Sequence, residues 1–63
     1  MSNPILLGYD RDNDRVYVDP TTGRLCQADT MHEAKIRFGG PDNGVDATTY
    51  ISTFGPITKK ARR

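Results

Sequence analysis

Between Arg15-Val16-Tyr17-Val18 and Arg24-Leu25-Cys26-Gln27 stand five residues, Asp19-Pro20-Thr21-Thr22-Gly23, that leave the backbone few ways to continue. Asp19 can accept a hydrogen bond from the backbone two residues on, and Pro20 presets φ for the first corner of a type I turn. Gly23 then tolerates the left-handed conformation that returns the chain. The flanking segments suit strands, so the unit reads as a β-hairpin with Val16 and Val18 on one face of its first strand and Tyr17 on the other. Similar punctuation recurs at Gly8, Gly39, Gly40, Pro41, Gly44, Gly55 and Pro56. It leaves segments of strand length and excludes long helices.

Residues 4–9 form a short apolar strand, and Asp10-Arg11-Asp12-Asn13-Asp14 gives the polar connection to the hairpin. Residues 30–38 carry two patterns. Thr30 with Glu33 three residues later fits a helical capping box, and Met31, Ala34 and Phe38 fit one helix face. Alternation fits a half-buried strand, with His32, Ala34, Ile36 and Phe38 on one parity and Glu33, Lys35 and Arg37 on the other, and this reading is favoured. Thr48-Thr49-Tyr50-Ile51-Ser52-Thr53-Phe54 is dense in β-branched and aromatic residues and predicts a further strand, ended by Gly55-Pro56. Paired across the loop 39–44, these two segments make a second hairpin. The expected class is all-β or β-dominated, a small antiparallel sheet or partial barrel of four to five short strands built from consecutive hairpins. It becomes α+β if residues 30–38 form a short helix. Residues 1–56 make the small β domain and residues 57–63 a basic C-terminal tail.

A chain of 63 residues makes one domain and buries only about 60% of the surface that its unfolded form exposes. Its apolar residues are spread out and there is no Trp, so the core is thin. Cys26 is alone, which rules out an internal disulfide, and Cys26 with His32 falls short of the ligands of a structural zinc. No metal or cofactor is expected, and the missing support points to oligomerisation or a larger partner. The longest apolar run, Ile5-Leu6-Leu7, is far below the roughly 20 residues that span a bilayer. Met1-Ser2-Asn3-Pro4 lacks the features of a secretory signal, so the expected location is the cytoplasm, or incorporation into a virion or other large assembly.

Charge is divided unevenly. Residues 1–58 carry eight acids against five bases, whereas Lys59-Lys60-Ala61-Arg62-Arg63 carries four cations and no acid. Lys59, Lys60, Arg62 and Arg63 are therefore an electrostatic handle for phosphates or an acidic protein surface, with Tyr17 and Tyr50 as aromatic contacts. Asp10-x-Asp12-x-Asp14 resembles the first half of a calcium loop, but Arg15 stands where that loop requires Gly and Thr21 where it requires Glu. The trio reads as a solvated acidic turn whose carboxylates cap backbone amides. His32 and Glu33 would diverge on opposite faces of a strand, Cys26 has no adjacent base, and no Gly-x-Ser-x-Gly elbow occurs. Gly39-Gly40-Pro41-Asp42-Asn43-Gly44 lacks the Gly-Lys-Ser/Thr ending of a phosphate loop and reads as a loop tip. An enzyme is not expected. The favoured function is a non-enzymatic protein–protein interaction or assembly module, an accessory subunit such as a small viral structural or decorating protein, or a small protein inhibitor. The alternative is a small nucleic-acid-binding β domain anchored by its basic tail.

Overall fold

The hairpin turn forms as its residues dictate. In the computed structural model, which describes residues 3–41 and 43–61, the Thr21 N–H donates to Asp19 Oδ1 at 2.9 Å and Gly23 sits at a φ of +76°. The turn joins β2 (Arg15–Val18) to β3 (Leu25–Gln27) with Val16 opposite Gln27, Tyr17 opposite Cys26 and Val18 opposite Leu25. β1 (Ile5–Tyr9) pairs antiparallel with the other side of β2, giving a three-stranded sheet in the order β1-β2-β3. A bulge between Leu6 and Gly8 inserts Leu7 into the β1 edge.

An all-β fold of four to five strands does not form. Among the described residues there are three strands, and both later segments are helices, α1 (Met31–Phe38) and α2 (Ala47–Phe54), so the class is α+β. In α1 the Thr30 hydroxyl accepts from the Glu33 N–H at 3.1 Å, which closes the cap that the sequence offered. Ala34 and Phe38 are buried, four residues apart, while His32 and Ile36, their companions under alternation, are exposed, Ile36 at 63%. The parity was coincidental: only the i, i+4 pair meets the core. In α2 the Asp46 carboxylate caps the first turn, accepting from the N–H groups of Thr48 at 3.1 Å and Thr49 at 3.4 Å. Tyr50 and Phe54 share the inward stripe, their ring centroids 4.6 Å apart. The β-branched Thr48, Thr49, Ile51 and Thr53 all lie on the exposed side, so their strand preference has no sheet to act through.

Each helix covers one face of the sheet. Tyr17 and Cys26, opposite each other in the ladder, are buried with Ala28 and with Ala34 and Phe38 of α1. Val16 and Leu25, on the other face, are buried with Tyr50 of α2, and Val18, Ala47, Phe54 and Ile57 close around them. The division of Val16 and Val18 from Tyr17 across β2 is thus the one that the hairpin predicts. After α2 the chain returns along β1, where Thr58 exchanges backbone hydrogen bonds with Tyr9 at 2.7 and 2.9 Å. Gly8 permits this passage, because a Cβ there would collide with the Thr58 carbonyl oxygen.

Candidate functional site

Among the described residues the most densely bonded side chain is that of Asp10, which has no solvent exposure. It closes the β1–β2 connection: Oδ1 accepts from the N–H groups of Asp12 at 2.9 Å and Asp14 at 3.1 Å. Oδ2 accepts from Gln27 Nε2 at 2.7 Å and from the Tyr50 hydroxyl at 2.8 Å. One carboxylate thereby ties the first turn to β3 and to α2. Burial alone would raise its pKa, but the bonds from Gln27, Tyr50 and the two amides outweigh that effect and hold it below the ordinary value of 3.8. The Tyr50 phenol is pushed well above its usual value by burial and by the Asp10 carboxylate it donates to, so it keeps its proton.

This network settles how the acidic trio is used. Ligand atoms of Asp10, Asp12 and Asp14 lie within 4.8 Å of one another, yet both oxygens of the buried member are committed to four donors of the protein and the other two residues are exposed. Amide capping is found at Asp10, but that carboxylate is buried, not solvated as the sequence suggested. His32 is exposed on α1, and Glu33 is engaged elsewhere, its Oε1 with the Arg37 guanidinium at 3.1 and 3.2 Å and its Oε2 with the Asp29 N–H at 3.4 Å. Cys26 is buried, and that burial raises its thiol pKa, the opposite of what a nucleophile needs.

Of the six residues that the sequence offered for partner or phosphate binding, Lys59 and Lys60 are exposed just beyond the Thr58 bridge, and Arg62 and Arg63 lie outside the described residues. Tyr17 and Tyr50 are corrections. They are 6% and 1% exposed, held under α1 and between the sheet and α2, so neither ring is a platform on which a base or a partner could stack.

What the surface does present is the first half of β1. Ile5, Leu6 and Leu7 are 55%, 44% and 42% exposed, consecutive, and on an edge strand. Their exposure has a structural cause. The helices cover β2 and β3, whereas Ile5 and Leu6, opposite Val18 and Tyr17, extend past both of them. Backbone direction adds to this: Tyr9 turns its N–H and C=O outward to Thr58, so by the alternation of an antiparallel ladder Leu6 turns outward as well. Thr58 covers the end of the edge at Tyr9, the chain bends at Lys59 and Lys60, and among the described residues no bridge from this segment reaches Leu6. Sequence reading took Ile5-Leu6-Leu7 only as evidence against a membrane span; no described helix is long and apolar enough to be one. The signal that could have found the patch was available, since an apolar strand with no charged side chain in it lacks protection wherever it forms a sheet edge.

Fold and surface together define a small α+β protein, a three-stranded antiparallel meander held between two short capped helices, with one apolar edge uncovered. No protein-family model, curated protein or solved structure matches the chain.

Proposed function

We propose that the protein is a non-enzymatic interaction module, an accessory subunit that docks into a larger assembly by adding the outer edge of β1 to a neighbouring strand. The observation that carries this reading is the exposed Ile5-Leu6-Leu7 run with the Leu6 backbone groups directed outward. Natural edge strands are usually blunted by charge, Pro or a cover, and an uncovered apolar edge otherwise invites uncontrolled pairing. Consecutive exposed apolar residues on a small domain are best accounted for by a partner. Docking would also supply the apolar burial that a thin core lacks.

Size-exclusion chromatography with light scattering on the pure chain tests the proposal. The expected result is concentration-dependent self-association or a low melting temperature, with the double substitution Leu6→Lys and Leu7→Glu abolishing association while circular dichroism stays unchanged. A wild-type chain that remains monomeric at every concentration and melts cooperatively at high temperature would remove the case for docking.

A further inference from the structure

The opposite edge of the sheet opens into a cleft. β3 bonds β2 through Tyr17/Cys26, because the flanking pairs are bonded, Asp19 N–H to the Arg24 carbonyl at 2.9 Å and Ala28 N–H to the Arg15 carbonyl at 3.1 Å. Leu25 and Gln27 therefore turn their backbone groups away from β2. Val45 takes those of Leu25, in a reciprocal pair at 2.7 and 2.8 Å. Continued antiparallel, that pairing would set Asn43 opposite Gln27. Asn43 instead takes a φ of +55°, and its carbonyl accepts from Arg24 Nε at 2.9 Å. The Gln27 N–H and C=O thus face an open cleft of about 770 Å³ between α1 and α2, within the roughly 300–1,000 Å³ range of ligand sites.

The chemistry of the lining is one-sided. Leu25, Ile36, Val45 and Phe54 give it an apolar surface, and Ile36 and Val45 are among the exposed large apolar residues of the molecule. Its charged residues are Arg24 and Arg37, of which Arg37 is paired with Glu33 of its own helix, and none of the described lining residues is an acid. Arg24 is oriented by carbonyls, those of Asn43 at 2.9 Å and Gly44 at 2.8 Å, which fix a guanidinium without neutralising it.

We propose that this cleft binds an extended peptide segment of a partner protein, one that carries an apolar side chain beside a carboxylate and pairs with the β3 edge at Gln27. The backbone pair gives strand addition, the apolar lining takes the side chain, and Arg24 takes the carboxylate. This surface lies across the sheet from β1 and stands independently of the docking proposed there.

The test is a titration of the isotope-labelled full chain, followed by amide NMR, with an end-capped pentapeptide Glu-Val-Phe-Val-Glu. Controls are the matched Lys-Val-Phe-Val-Lys peptide and two acidic versions N-methylated on alternate amides in opposite phase. The acidic peptide should shift the amides of Cys26, Gln27, Ile36 and Val45 and slow exchange at Gln27. The basic peptide should bind at least about tenfold more weakly, as should the acidic peptide to Arg24→Glu. Methylation in one phase or both should abolish binding. Shifts absent at millimolar peptide, equal binding of the basic peptide, loss in neither methylated phase, or shifts confined to Ile5–Leu7 would each overturn the proposal. The peptide comparisons use the unaltered protein, so the outcome stands even if an arginine variant fails to fold.

Discussion

Removing the hydroxyl of Tyr50 takes one of four donors from a carboxylate that has no access to water. Tyr50→Phe should cost about 1.5–3 kcal/mol, the usual worth of a hydrogen bond to a charged group, measured by urea unfolding at neutral pH. The pH dependence follows from the same bonds. The folded-state pKa of Asp10 is depressed, so its contribution is present above the unfolded value of 3.8 and is lost as pH falls through that value toward the folded one. Wild-type stability should therefore drop on acidification through that window. In Tyr50→Phe the folded pKa moves back toward 3.8, and the drop between neutral and acid pH should shrink. An unchanged pH profile in the variant would show that the Tyr50 bond does not set the Asp10 pKa.

At the scale of single elements, caps and close approaches decide. Asp46→Ala removes the acceptor for the Thr48 and Thr49 amides and should cost about 1 kcal/mol, with loss of helical circular dichroism confined to α2. Gly8→Ala should detach the returning segment instead, since the new Cβ would collide with the Thr58 carbonyl oxygen. Hydrogen exchange should then accelerate at the Tyr9 and Thr58 amides while Cys26 stays protected. These elements also show what could be read in advance. The β2–β3 hairpin was legible because Asp19, Pro20 and Gly23 act within a few bonds of one another. Local pattern favours strands in both later segments, with a helix over residues 30–38 as the α+β alternative that the structure takes, because the decisive facts are not local. The sheet buries both of its faces on β2 and β3, so each face needs a stripe of residues four apart, Ala34 with Phe38 and Tyr50 with Phe54. Thr30 was visible as a cap and was outweighed by a parity that nothing in the fold uses; Asp46 was passed over. Of the candidate site, the cationic tail was legible as composition. The burial of Tyr17 and Tyr50 was not, because it depends on which helix crosses which face.

For the molecule as a whole, the two edges of the sheet differ in kind. One presents apolar side chains beyond the helices, and the other presents a pair of backbone groups inside a cationic cleft. The variants that silence them should therefore act separately: Leu6→Lys with Leu7→Glu should leave peptide binding at the cleft unchanged, and Arg24→Glu should leave self-association unchanged. Interaction energies between sites without shared contacts are expected to be within about 0.5 kcal/mol, which a double-variant comparison of both readouts can check. The single cysteine offers a further handle on the intact molecule. Cys26 lies beneath α1 with Tyr17, Ala34 and Phe38 and is 7% exposed, so alkylation of its sulfur should quicken when that helix lifts. Labelling rates in native buffer would then time the undocking of one layer without any engineered probe, and an occupant in the neighbouring cleft would slow the clock.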